Sequence, residues 1–464
     1  MKGKLRSART APVAAVLAFA AVVAVILVGG SAASAASGPT AHPISVNPET
    51  APLSGKPGPG IVHFSCQGRP IDGSQGIVCY SPAQIQQAYG YSGLLASGVN
   101  GAGKTIVIVD AYANPYLTGP SGDLALEDSS FGLPDPPSFT VLQQPNPVPA
   151  FDPTDGNQVG WAAEETLDVE WAHVMAPRAK IVLAEAASSD DADLLATTKY
   201  VIDHHIGDVI SQSFGEAESC MDPTLLAQQH ALFQRAVRQG YTIFASSGDS
   251  GASQFNCDGT APIEAASTPA SDPNVTGVGG TTLAADINGN YIGEAAWTEQ
   301  FLGCNPPDDD DINCSGGGFS SIFGKPLYQQ LAVHGHARGV PDVSYNAGVN
   351  GGVISVCSAC NDGVPAFILF GGTSSGSPQW AALIADADQM AHHDIGNIND
   401  NLYGFALIPR LYHSVFNDVT LGNNDVADLG GAGFNAGPGW DPVTGLGTPR
   451  AQNLLPALAL TSGH

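Results

Sequence analysis

Phe367-Ile-Leu-Phe-Gly-Gly-Thr-Ser-Ser-Gly-Ser-Pro-Gln-Trp-Ala-Ala-Leu383 reads as an apolar strand, a Gly/Ser turn and the start of a helix. Such a turn lifts one hydroxyl, that of Ser374, out of the backbone beside free N–H groups. A serine so placed becomes a nucleophile when a base lies within reach. Its partners must come from elsewhere in the chain.

Working outward, continuous apolar runs alternate with helical segments. Thr105–Asp110, Lys180–Ala184, Val209–Ser213 and Tyr241–Ala245 read as buried strands, and 160–175, 190–205 and 223–238 as helices. Ser81 and Pro82 cap a further short helix ending near Tyr89. Apolar strands alternating with helices predict an α/β fold, with a central, mostly parallel sheet flanked by helices. No linker divides the later chain, so one domain is expected over 80–464. Gly98-Val-Asn-Gly-Ala-Gly-Lys-Thr105 satisfies the P-loop pattern, but a strand follows it where a phosphate site needs a helix. It is expected to be a glycine turn.

Residues 1–36 hold Lys2, Lys4, Arg6 and Arg9, the apolar run Ala11–Gly30 and a small-residue cleavage site, and so read as a signal peptide. Export is expected, with no membrane contact after cleavage. The leader takes four of the 16 Lys and Arg and none of the 43 Asp and Glu, leaving a formal charge of −31. A surface so acidic excludes nucleic acid as a partner. In an exported chain the eight cysteines predict disulfides, and sequence proximity pairs Cys66–Cys79, Cys220–Cys257, Cys304–Cys314 and Cys357–Cys360. Residues 37–79, rich in Pro, Gly and Ser, read as an N-terminal arm or remnant pro-region.

Two acidic segments offer partners for Ser374. In Trp161-Ala-Ala-Glu-Glu-Thr-Leu-Asp168, Glu164 and Asp168 share one face of the helix. Buried, they would share a proton, and one could act as general base at pH values where histidine is protonated. Phe244-Ala-Ser-Ser-Gly-Asp-Ser-Gly251 ends a strand in a turn that presents Asp249. A protonated Asp249 could donate to an oxyanion. A rival reading uses Gly372-Thr-Ser-Ser-Gly376 as the G-x-S-x-G elbow of an α/β-hydrolase esterase. That needs a downstream histidine from His392, His393, His413 or His464. A non-catalytic binding protein is the third reading.

Glu164/Asp168, Ser247-Gly248-Asp249 and Gly372-Thr373-Ser374 with Pro378 follow one another in the order found in the sedolisin, or serine-carboxyl peptidase, family, which the chain resembles. Tyr80-Ser-Pro-Ala-Gln-Ile, Ser211-Gln-Ser-Phe-Gly215, Thr268-Pro-Ala-Ser271, Ser315-Gly-Gly-Gly-Phe319 and Arg338-Gly-Val-Pro-Asp342 are family-like as well. The resemblance implies a subtilisin-like fold and an acid-acting peptidase. Ser374 would be the nucleophile, Glu164 the base, Asp168 its orienting partner and Asp249 an oxyanion donor. Ser211–Gly215 would pair with an extended protein or peptide substrate, and the molecule is expected to act as a monomer. Asp418 and Val419, with Gly437, Gly439 and Asp441 in a glycine-rich loop, offer hard oxygen ligands that suit one structural Ca2+. They stand where the family carries its C-terminal calcium-binding loop. Asp110, ending the first strand, reads as a strand-end residue near the site, and Trp161 and Trp297 suit either a substrate subsite or the core.

Overall fold

A computed structural model describes residues 44, 46, 50–60, 62–71, 74, 76–299 and 313–461. The arm begins with strand β1 (Thr50–Pro52), and β2 is Cys79–Tyr80. The next strands are β3 (Thr105–Ala111), β4 (Phe139–Leu142), β5 (Lys180–Ala186), β6 (Val209–Gln212) and β7 (Thr242–Ser246). They are followed by β8 (Thr276–Ala285), β9 (Tyr291–Ala296), β10 (Val343–Asn346), β11 (Gly352–Val356) and β12 (Phe367–Phe370). The helices that matter here are α1 (Pro82–Ala88), α2 (Asp123–Phe131), α3 (Gly156–Met175), α4 (Asp191–Asp203), α5 (Pro223–Arg238) and α6 (Gly376–Ala391).

An eight-stranded sheet runs β9-β8-β7-β6-β3-β5-β4, with β10 beside β8, and every pairing is parallel except β8–β9. Alternation along β3 explains its two covered faces. Ile106 and Ile108 join one apolar cluster with residues of α3 and α6, while Val107 and Val109 join another with residues of α4 and α5. The mostly parallel sheet covered on both faces is thus the predicted one.

Local chemistry fixes the element ends. Asp155 caps α3 by accepting from the Asn157 N–H, and Asp222 caps α5 ahead of Pro223. From Gly160 to Met175 every residue of α3 is buried. Each large apolar side chain so covered contributes roughly 1.5–3 kcal/mol. Arg338, within one of the family-like segments, is wholly buried and forms a two-pronged ion pair with Asp342, whose Oδ2 also accepts from the Gly277 N–H of β8 at 2.8 Å. That segment clamps β8 to β10.

The P-loop-like turn proves to be internally filled. Gln389 of α6 inserts its Oε1 among the N–H groups of Asn100, Gly101 and Ala102 at 2.8, 2.9 and 3.2 Å. The arm is less featureless than its composition predicts. Its β1 adds antiparallel to β12 in a second sheet ordered β1-β12-β11-β2, and Phe64 packs edge-on against Phe367. Three expected disulfides are formed: Cys66–Cys79, Cys220–Cys257 and Cys357–Cys360. The fourth involves Cys304, which lies outside the described residues, as do the signal peptide and His464.

Candidate active site

Strand β12 carries the chain to Gly372, whose φ of +85° turns it sharply. A Cβ there would meet Asp249 Oδ2 at 2.7 Å, so glycine also admits the neighbouring acid. The single turn Thr373–Ser375 then leads into α6. Ser374 is buried at this junction, and its hydroxyl donates to the Ser213 carbonyl at 3.4 Å and lies close enough to the Glu164 carboxyl to favour its ionised form.

Ser213, just beyond β6, ties Asp168 to the turn that carries Ser374. Its hydroxyl donates to Asp168 Oδ1 at 2.9 Å, with the Ser374 carbonyl 3.4 Å away. Glu164 and Asp168 stand one turn apart on α3, as the spacing predicts, and neither is more than 1% exposed. Burial pushes the Glu164 carboxyl well up, the Asp168 charge adds to the rise, and the hydrogen bond from Ser374 opposes it. Asp168 is likewise pushed well up, by burial and then by Asp110, against the pull of Ser213.

Asp249 follows β7. Its Oδ1 accepts from the Thr373 N–H at 2.8 Å and the Thr373 hydroxyl at 2.7 Å, while the Gly248 N–H reaches Thr373 Oγ1 at 3.2 Å. The residue keeps some exposure, yet protein surrounds its carboxyl, and that burial raises its pKa despite the two Thr373 bonds. The structure therefore brings Ser374, Glu164, Asp168 and Asp249 into one site.

Sequence reading missed how many acids share this ground. Asp110 is fully buried with neither carboxyl oxygen hydrogen-bonded, and burial, Glu164 and Glu185 all push its pKa up. Glu165 is buried beside Glu185, Asp110 and Asp168 and is raised in the same way. Glu185 accepts from Gln143 at 2.6 Å and the Asn114 N–H at 3.3 Å, and its pKa rises to about 6. The only sequence signal was the strand-end position of Asp110.

Among the described residues, no downstream histidine is hydrogen-bonded to Ser374. His392 and His393 follow the far end of α6, a helix about 24 Å long at 1.5 Å per residue. His413 sits on the helix Pro409–Val415 against Tyr412. Trp297 is buried in the core, where its ring blocks any side chain at Gly280. Trp161, one turn before Glu164 on α3, is fully buried and packs against Phe214.

The five calcium-ligand candidates also converge. Asp418 Oδ1 accepts from the Gly439 N–H at 3.0 Å, and Asp441 Oδ2 from the Gly437 N–H at 3.0 Å. Thr444 links Asp441 to the Val419 carbonyl. Asp441 is buried and raised to about 6 by that burial. No cluster of three or more Asp, Glu, His or Cys suited to a metal occurs among the described residues. A site here has two carboxylates and must take its other ligands from backbone carbonyls. That donor set of hard oxygens around a buried carboxyl fits calcium.

Known proteins resemble this chain in sequence and in fold. The chain is 34% identical to kumamolisin of Bacillus sp. (strain MN-32) over 82% of its own length and 63% of that protein's. It is 33% identical to sedolisin of Pseudomonas sp. (strain 101), over 57% of this chain and 43% of the relative. The solved Pseudomonas sedolisin, a serine-carboxyl proteinase complexed with two molecules of pseudo-iodotyrostatin, superposes with a TM-score of 0.70 at 27% identity. That match covers 83% of this chain and 99% of the other. The chain belongs to the sedolisin family. Its α/β architecture is accordingly subtilisin-like. No family model matches the chain, and it spans less than two thirds of the length of these curated relatives.

Proposed function

We propose that the protein is a secreted, acid-acting serine-carboxyl peptidase that hydrolyses protein and peptide substrates. The observation that supports this reading is the hydrogen-bonded chain of Ser374, Ser213 and Asp168, with the buried Glu164 beside Ser374 and Asp249 across the turn. Ser374 Oγ attacks the peptide carbonyl while Glu164 takes its proton. Asp168, held by Ser213, shares a proton with Glu164 and orients it. Glu164 then returns its proton to the leaving amine, and water repeats the sequence to release the acyl group. Asp249, kept protonated by burial, donates to the oxyanion. Carboxyl groups supply every proton transfer, which selects acid over neutral pH.

Asp418, Val419, Gly437, Gly439 and Asp441 would hold one calcium ion, whose contribution is to brace the C-terminal loops. Export rests on residues 1–36; no helix among the described residues is long and apolar enough to cross a membrane. The esterase reading lacks support, since no described histidine downstream of the serine is hydrogen-bonded to it.

The test is hydrolysis of a denatured protein across pH ~3–8 by wild type, Ser374→Ala and Glu164→Gln. The expected result is activity confined to acid and a loss of at least ~10⁴-fold in each variant. Activity peaking at neutral pH, or surviving in both variants, would sink the reading.

A further inference from the structure

Two aromatic residues flank the catalytic groups. Trp161 precedes Glu164 by one turn of α3, and Phe214 follows Ser213, whose carbonyl accepts from Ser374 Oγ. Their ring centroids lie 5.8 Å apart. Into this corner the N-terminal arm delivers Ile44, which is 6% exposed and shares an apolar cluster with both rings.

The main chain of Ile44 is held at both ends. Its N–H donates to the Ser189 carbonyl at 2.8 Å, and its own carbonyl accepts from the Trp161 indole N–H at 3.2 Å. Two residues on, the Val46 carbonyl lies so close to Gly160 that a Cβ there would clash with it. A lane that takes one N–H and satisfies one carbonyl beside an apolar pocket is the recognition mode of extended peptides. Ser189 itself is locked in place, with its hydroxyl within reach of Asn157 and Tyr112 at 3.2 and 3.4 Å.

We propose that this corner is the side-chain-selecting subsite of the peptidase. The Ser189 carbonyl and Trp161 indole hold the main chain of one substrate residue, and Trp161 with Phe214 selects a branched aliphatic side chain there. Ile44 occupies the subsite until substrate displaces it. The proposal rests on the peptidase reading of Ser374 and Glu164. Its walls are apolar, so a charged side chain would be stripped of water without a partner. A side chain short of one methylene loses about 10–200-fold in such a pocket.

The test profiles cleavage of a synthetic peptide mixture at acid pH by mass spectrometry, using the full chain. Wild type, Trp161→Ala, Trp161→Phe and Ser374→Ala are compared. In the wild type, Ile, Val and Leu are expected to exceed Ala and Asp at one fixed position relative to the cut. Trp161→Ala should lower the Ile-to-Ala ratio of kcat/KM at that position by ~10-fold or more. Trp161→Phe keeps a ring and loses the N–H, so it should preserve that ratio and raise KM for all peptides. Ser374-dependent cleavage without an aliphatic preference at any position overturns the subsite alone, and this wild-type result does not depend on any variant folding. An unchanged ratio in folded Trp161→Ala overturns it too. Cleavage by Ser374→Ala at the wild-type rate would instead overturn the peptidase reading beneath it.

Discussion

Asp249 is the residue at which the acid character of the site can be read most directly. Thr373 occupies its Oδ1, and Oδ2 faces Gly372 on the turn that carries Ser374. Burial raises its pKa, so its proton persists above the usual carboxylate range and is lost as pH climbs through the raised value. In the proposed mechanism the oxyanion donor vanishes with that proton. Asp249→Ala should therefore lower kcat by ~10²–10³ at the acid optimum. Asp249→Asn keeps an N–H donor that does not titrate, so it should lose less and should carry activity to higher pH. Rate profiles of the two variants decide the matter. A high-pH limb in Asp249→Asn that coincides with the wild type would remove Asp249 from the oxyanion role. Asp249 was legible because its turn is a short linear motif. Asp110 was not, because its neighbours come from register. It lies directly opposite Glu185 on adjacent strands, a pairing that no spacing along the chain reveals.

At the scale of elements, α3 carries carboxyls on more than one face. Behind Glu164 and Asp168, Glu170 meets Glu127 and Asp123 of α2, and its Oε2 accepts from the Val356 N–H of β11 at 3.0 Å. Asp128 and His173 lie 3.1 Å apart in the same layer, and Asp123 accepts from the Ser358 N–H at 2.7 Å. Burial pushes Glu127 well up, reinforced by Asp128 and Asp123; burial does the same to Glu170, reinforced by Glu127. A carboxyl whose folded pKa is raised gives its full stability below the unfolded value and loses it as pH rises toward the folded one. The contact between α2 and α3 should thus weaken as pH rises from ~4.5. Glu170→Gln removes one titrating group, so its melting temperature should fall less steeply with pH than that of the wild type. Parallel slopes in thermal melts would refute this. The spacing of Glu164 and Asp168 predicted one face of α3, but its burial over sixteen residues needed the packing of α2, α6 and β11. A second element-scale test concerns Gln389, which satisfies three N–H groups of the glycine turn. Gln389→Ala should cost about 1–3 kcal/mol, read from denaturant midpoints.

For the whole molecule, acidity and the proposed calcium ion would pull on the same balance. The chain carries 43 Asp and Glu against 16 Lys and Arg, so ionisation crowds it with like charge. Asp441 illustrates the cost locally. Without a cation its burial raises it to about 6, so ionising it destabilises the fold as pH climbs from the ordinary carboxylate range to that value. A bound calcium reverses the sign, because it needs the carboxylate and is repelled by the proton's competition. Stabilisation by calcium should therefore be small near pH ~4 and grow toward pH ~7. At a hundredfold excess over its Kd the ion contributes about 2.7 kcal/mol, a rise of several degrees in Tm. Melts of the full chain with calcium and with a chelator, at both pH values, measure the gap. It should widen with pH in the wild type and close in Asp441→Asn. An equal gap at both pH values, or one that survives in Asp441→Asn, would separate the metal from Asp441 and leave the C-terminal loops to hold without it.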